Sequence, residues 1–249
     1  MITKKQLETI AKKTSINLFY QEKDYLLNIF LNSLYKNTRH FIFKGGTCLK
    51  LVYNYQRFSE DLDFNTNLKP EKIEKVFTKT LNAFALLGID YEIIKEEKFK
   101  SSFTIKIRFK GPLYTGKSIS ANTISIDSGL RGGSILKPVW KEVISNYPEI
   151  PNYFVLAMQE QEILAEKIRA LILRGKARDL FDVWCILNKT KINKNLLEKK
   201  LAKIKERKIS FCSKREYERD LSNLLPRLLP YEQIVNDVKS SLSKIFLQT

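Results

Sequence analysis

Histidine and cysteine are nearly missing from this chain. Its 249 residues hold one histidine, His40, and three cysteines. A mechanism built on a histidine general base therefore starts at a disadvantage. Cys48, Cys185 and Cys212 are scattered and lack CxxC spacing, which argues against a zinc site or a disulfide frame and for reduced thiols in a cytoplasm. Long apolar runs are missing too; a membrane span needs roughly 20 such residues, and the chain never approaches that. The opening Met1-Ile2-Thr3-Lys4-Lys5-Gln6-Leu7-Glu8 has basic residues but no apolar core, so it does not read as a signal peptide. Neither a repeat of fixed period nor a low-complexity tract is present. What chemistry there is falls to carboxylates, lysines and a metal.

What is abundant is positive charge. The net charge is +17 and the pI about 9.6. An excess of this size favours a polyanionic partner, nucleic acid being the commonest, although an AT-rich genome that spells surface positions with lysine produces the same composition. A hydrophobic share of 43% with 29% charged residues is ordinary for a globular protein.

Periodicity divides the chain in two. Residues through about Lys36 read as helix, with Leu27, Phe30, Leu31 and Leu34 at three- and four-residue spacing. His40–Phe43 reads as a strand ended by Gly45-Gly46, Thr47–Tyr55 as a helix, and Asp61–Phe64 as a strand. Pro70 opens a helix to about Leu87, since proline suits a first helical position. Tyr91–Lys95, Phe103–Phe109 and Thr123–Asp127 are strand-like, the last two with a period of two. Gly129, Gly132, Gly133 and Pro138 mark a loop, and Pro148 and Pro151 another. After Tyr153–Ala157 the pattern is helical throughout: Gln159–Leu173, Ala177–Asn188, Lys194–Arg207, Lys214–Leu225 and Tyr231–Phe246. The expected class is α+β, a mixed α/β domain over residues 1–156 followed by a helical domain over 157–249 that completes the cleft.

The sharpest constellation is Lys44-Gly45-Gly46-Thr47 followed by Asp61-Leu62-Asp63. Alternate strand residues share a face, so Asp61 and Asp63 point the same way with α-carbons roughly 6.6 Å apart. Paired carboxylates of that kind hold Mg²⁺ or Mn²⁺, hard cations that keep waters for substrate phosphates. Two ions about 3.5–4 Å apart would clamp both oxygens of an in-line displacement. The glycines let backbone N–H groups approach a triphosphate at a helix start, where Thr47 caps the helix or adds a hydroxyl donor. Asp127, ending a strand on the face opposite Ile124 and Ile126, is the natural third ligand. The plainer alternative makes all three acids solvated strand ends and the glycine pair a turn. Lys44 precedes the glycines, which excludes a Walker A loop.

Lys167 sits in the apolar stripe of its helix, one turn from Ile163 and Leu171. Asp182 is the one polar residue in Leu180–Leu187. Either the two form a structural ion pair, or Lys167 reaches nucleotide phosphates while Asp182 orients it. Arg174, Arg178 and Asp179 flank the same turn and extend either arrangement. The lysine-rich stretch Lys191–Lys208 carries an apolar seam of Leu196, Leu197, Leu201 and Ile204, so its lysines read as a solvated helix face.

Phe41-Ile42-Phe43-Lys44-Gly45-Gly46-Thr47, Arg57-Phe58-Ser59-Glu60-Asp61-Leu62-Asp63-Phe64, Ala165–Leu171 and Arg178–Asp182 together resemble the AbiEii/AbiGii family of nucleotidyltransferase toxins. The resemblance covers roughly Phe41 to Leu187 and is more specific than any one motif. It implies a polymerase-β-like fold with metal ligands at Asp61 and Asp63, and it brings Lys167 and Asp182 into the active site. With Asp127 as third acid, nucleotide binding falls to Lys44, Gly45, Gly46, Thr47, Arg57, Ser59, Arg174 and Arg178. Family members are toxins of type IV toxin–antitoxin or phage-exclusion systems, and some add nucleotides to tRNA 3′ ends. The expected partners are thus an NTP, an RNA such as tRNA, and a cognate antitoxin, with no membrane. The alternatives are an acceptor that is a small molecule or protein, and a nucleic-acid- or nucleotide-binding protein without catalysis; intact Asp61 and Asp63 count against the last.

Overall fold

The computed structural model describes residues 1–129, 134–205 and 208–246. The expected loop glycines Gly132 and Gly133, and Arg207, lie outside them, and the helix expected to run from Lys194 to Arg207 ends at Leu201. The chain forms two compact units. The first comprises Met1–Asn54, Phe58–Gly133 and Pro138–Ala157; the second comprises Tyr55–Arg57, Ser134–Lys137 and Met158–Thr249.

In the first unit the opening helical stretch is two helices, α1 (Lys4–Thr14) and α2 (Leu18–Asn37). The break is chemical. Ser15 takes the left-handed conformation at φ 56° and ends α1, and the Asn17 side chain caps α2 by accepting from the Phe19 N–H. There follow β1 (Phe41–Lys44), α3 (Gly45–Tyr53), β2 (Leu62–Thr66), α4 (Pro70–Leu86), β3 (Asp90–Phe99), β4 (Ser102–Lys110), β5 (Asn122–Gly129), β6 (Val139–Val143) and β7 (Tyr153–Ala157). Among the described residues these strands make one mixed sheet of order β3-β4-β5-β2-β1-β7-β6. Strand β6 was not expected from the sequence, where Pro138 signalled loop. It is an edge strand with Val143 alone fully buried, so it lacks the alternation that betrays inner strands.

One face of the sheet is apolar. Phe41, Phe43 and Phe64 continue into Phe103, Ile105, Ile107 and Phe109, all buried. Helices α2 and α4 cover them: the Phe77 ring lies 5.4 Å from both Phe30 and Phe41, and Phe84 lies 4.5 Å from Phe109. Each such buried ring stabilises the fold by roughly 1.5–3 kcal/mol. Helix α2 also buries Glu22, Asp24 and Asn28, and each is paired. Glu22 accepts from Asn122 (2.7 Å), Asp24 from the Tyr147 hydroxyl (2.8 Å), and Asn28 from the Tyr153 hydroxyl (2.9 Å).

The second unit is helical: α5 (Glu160–Arg174), α6 (Ala177–Leu187), α7 (Lys194–Leu201), α8 (Lys214–Leu221) and α9 (Tyr231–Phe246). Helix α6 is central, packing on α5, α8 and α9. Gly175, at φ 57°, ends α5 in the left-handed conformation that glycine tolerates. In the lysine-rich stretch, Lys191, Lys194, Lys199 and Lys203 are exposed. Lys200 departs from the expected solvated face: its ammonium is buried between Glu162 (2.7 Å) and Glu166 (3.0 Å). No helix among the described residues is long and apolar enough to cross a membrane.

Candidate active site

The corner where β1 turns into α3 is built around one carboxylate. Gly45 starts α3 at φ +76°, and a β-carbon placed there would collide with the Asp63 carboxylate. Glycine is thus required twice, for the backbone angle and for the space. The helix begins at Gly45 rather than at Thr47. Consequently Thr47 is no N-cap; its buried hydroxyl donates to the Asp61 carbonyl at 2.5 Å and ties the helix to the chain entering β2. The Gly45 and Gly46 N–H groups belong to the first turn of α3, where an α-helix has no partners of its own for them.

Strand pairing sets the acids side by side. Lys44 stands opposite Asp63 across β1 and β2, Asp63 opposite Asp127 across β2 and β5, and Asp127 opposite Thr104 across β5 and β4. Residues in register share a face, so this row lies on the sheet face away from the phenylalanines, with neighbouring strands about 4.8 Å apart. Thr104 donates to Asp127 at 3.3 Å. Asp63 and Asp127 are half-buried, whereas Asp61, just before β2, is exposed. Among the described residues no three His, Cys, Asp or Glu side chains are grouped closely enough to hold a metal ion. Of the three acids expected from the sequence, Asp63 and Asp127 stand in register, with Asp61 two residues up the chain. An all-oxygen donor set of this kind suits a hard cation such as Mg²⁺ or Mn²⁺ and not zinc. Cys48, buried in α3, adds no thiolate: burial first, and the Asp63 charge second, push its thiol well above its ordinary value.

The stretch leading into Asp61 is pinned by residues that sequence reasoning missed. Phe58 packs on Tyr20 at 4.8 Å and lies under the Lys50 ammonium at 5.2 Å, and Glu60 pairs with Lys23 at 2.8 Å. Ser59 is buried between them. The helical periodicity of α2 concealed these anchors, because Tyr20 and Lys23 read as ordinary helix residues.

In the second unit an ion network joins five of the charged residues. Asp182 accepts from Arg57 twice, at 2.7 and 2.9 Å, and pairs with Lys167 at 2.8 Å. Lys167 also donates to Asp179 at 3.0 Å, and Asp179 takes two bonds from Arg174, at 2.7 and 3.0 Å. Burial would raise the Asp182 pKa, but Arg57 and then Lys167 overcome it and hold it at about 2. Asp179 is lowered in the same way, its burial outweighed by Lys167 and then Arg174. For Lys167 the burial that favours the neutral amine is outweighed by Asp182 and Asp179, so it stays charged. Arg178 is half-buried on α6 beside Asp179.

The ion pair anticipated between Lys167 and Asp182 is thus one link of a longer chain. Arg57 enters it from Tyr55–Arg57, which the sequence placed with the first domain. Tyr55 is anchored there by a 2.7 Å bond to Glu160 and by the Lys189 ammonium 4.2 Å over its ring. Within the first unit, then, Lys44, Gly45, Gly46, Thr47, Asp61, Asp63 and Asp127 share one corner. Within the second, Arg57, Lys167, Arg174 and Asp182 share one network, with Asp179 as the hub that sequence reasoning had left at its margin.

A strand–Gly-Gly–helix corner beside aspartates of adjoining strands, in a mixed sheet, can hold a divalent cation and the phosphates of a nucleotide. Solved structures share the fold. MenT4, a nucleotidyltransferase toxin from Mycobacterium tuberculosis, matches with a TM-score of 0.73 at 16% identity, over 99% of this chain and 90% of that one. JHP933 from Helicobacter pylori matches at 0.62 and 18% identity, over 94% of each chain. No curated protein matches the sequence. The family model for the nucleotidyl transferase AbiEii toxin of type IV toxin–antitoxin systems matches residues 29–246. The chain belongs to that family and is a nucleotidyltransferase toxin.

Proposed function

We propose that the protein transfers an NMP from an NTP to an RNA acceptor, the 3′ end of a tRNA, in a reaction that depends on Mg²⁺. The observation that carries the metal part is the registered pair Asp63–Asp127, beside which Gly45 has no side chain. In the reaction the acceptor's 3′ hydroxyl oxygen bonds to the α-phosphorus, the bond from that phosphorus to the β-phosphate oxygen breaks, and pyrophosphate leaves; the hydroxyl proton passes to solvent. A divalent ion, when bound, supplies positive charge to the attacking and leaving oxygens.

Asp63 and Asp127 hold that ion, with Asp61 as the further carboxylate. Lys44 and the Gly45 and Gly46 N–H groups receive phosphate oxygens. Lys167, kept charged by two carboxylates, offers a fixed ammonium to the nucleotide phosphates, while Asp182 and Asp179 orient it. Arg57, bound at both ends of its guanidinium fork to Asp182, serves as a positioning residue. The RNA acceptor is supported by the net charge of +17 and by what the resemblance read from the sequence motifs implies. A cognate antitoxin is expected from the same membership.

The test is incubation with each labelled NTP, Mg²⁺ and total RNA, followed by location of the label. Label at tRNA 3′ termini is expected, with none from Asp63→Ala protein of unchanged fold. Label on a small molecule with RNA unlabelled overturns the acceptor, and full activity in Asp63→Ala overturns the metal site.

A further inference from the structure

We propose that the first unit holds a separate subsite for one unpaired nucleotide of the RNA acceptor, in the pocket between the end of α2 and the β6–β7 pair. The proposal rests on the RNA reading above. The cavity measures about 390 Å³, within the roughly 300–1,000 Å³ of small-ligand pockets. Asn32, Tyr35, Lys36, Arg39, Trp140 and Phe154 supply its chemistry, and no acidic residue lines it among the described residues.

Three features point to a nucleotide. Trp140 and Phe154 leave 46% and 58% of their surface exposed, and each offers a flat face for a base. The Trp140 ring is held in place, with the Tyr35 ring near perpendicular to it at 6.2 Å between centroids and the Arg39 guanidinium over one face at 6.0 Å, which leaves the other face for a base. Tyr35 is itself fixed, its hydroxyl donating to the Phe41 carbonyl at 2.9 Å. The second feature is an orphaned acceptor. The Asn32 side chain lines the pocket, and among the described residues its oxygen is buried with no hydrogen-bond partner, an expensive state that a base amino or imino group relieves when the side chain turns toward it. The third is charge: exposed Lys36 and Arg39 supply two cations for a phosphate. A stacking face, a base-edge acceptor and a phosphate clamp together are the recognition set for unpaired RNA. Strand β6 lies three places from β2 in the sheet, so the subsite stands about 14 Å across the sheet from the Asp63 strand. It would hold the acceptor strand and take no part in the chemistry.

The experiment measures binding alone, without NTP. The chain has two tryptophans, so Trp184→Phe in the full-length protein leaves Trp140 as the fluorophore. Titration with an unstructured six-nucleotide oligoribonucleotide should quench it saturably. Trp140→Ala, followed by fluorescence anisotropy of a labelled oligonucleotide, should weaken binding about tenfold. Arg39→Gln, an exposed position that cannot unfold the core, should weaken it too and lower the slope of log affinity against log salt by about one. Parental affinity in both variants overturns the subsite. A pocket that takes only a protein segment gives no quench and overturns it equally. Should RNA transfer fail while Trp140-dependent binding persists, the acceptor reading falls and the nucleotide subsite stands.

Discussion

The ion network of the helical unit makes an unequal prediction for its two central members. Replacing Asp182 with Asn takes from Arg57, whose side chain is 4% exposed, the carboxylate it bonds twice, and takes from Lys167 one of its two carboxylates. Removing a carboxylate that two buried cations share costs about 3–5 kcal/mol. Replacing Lys167 with Met is a gentler change. Asp182 keeps both bonds from Arg57, Asp179 keeps both from Arg174, and the methionine fills most of the lysine stem's space. Lost bonds to charge are partly offset by relief from burying an ammonium, so the expected cost is about 1–2 kcal/mol. Urea unfolding followed by far-ultraviolet circular dichroism reads both as midpoint shifts at constant slope. Equal losses in the two variants, or a loss under 1 kcal/mol in Asp182→Asn, would refute the reasoning. The same Lys167→Met protein decides the residue's role in binding. If its ammonium meets the nucleotide phosphates, NTP affinity falls at least tenfold; parental affinity limits Lys167 to holding α5 against α6.

Two further outcomes follow from the geometry. Gly45→Ala forces a left-handed angle on a β-carbon-bearing residue, costing about 1–2 kcal/mol, and drives its methyl into the Asp63 carboxylate; thermal melts should fall and transfer should be largely lost, and a melt like the parent's would contradict the corner described above. Stability should also depend on acid in a defined window. Asp182 is held at about 2, below its ordinary 3.8, so its contribution is complete above pH 4 and disappears as pH falls toward 2. That contribution is about 2 kcal/mol, and lowered Asp179 acts in the same direction. Unfolding free energies at pH 5, 4, 3 and 2 check it, and a flat profile from pH 4 to 2 would count against the network.

Much of this arrangement was legible in the sequence, and what was not has physical reasons. Alternation exposed β4 and β5 because each is apolar on one face. The DxD strand and the lone Asp127 strand were readable for the same reason, and their pairing then sets Asp63 against Asp127. Lys167 and Asp182 announced themselves by interrupting apolar helix faces, and they lie 2.8 Å apart. No local pattern, however, links Arg57 to Asp182 across 125 residues. Lys200 was misread because a helix face dense in lysine looks solvated, and its burial depends on Glu162 and Glu166 of α5. The positive angle at Gly45 was hidden for another reason: a glycine pair before a helix suggests a loop, and nothing nearby in sequence reveals that Asp63 occupies the space a side chain would fill.

The long reach of Arg57 also bears on when the protein becomes whole. Arg57 and Asp182 are separated by 125 residues, so at about 5–20 residues per second a ribosome delivers the carboxylate roughly 6–25 s after the guanidinium. Throughout that interval the arginine has no Asp182 to receive it, and α6, the centre of the helical unit, has not been made. A chain cut short anywhere before Asp182 therefore lacks both the core helix and the anchor for Tyr55–Arg57. Incomplete translation products that end before Asp182 are expected to carry the acid corner of the first unit without a folded helical unit behind it.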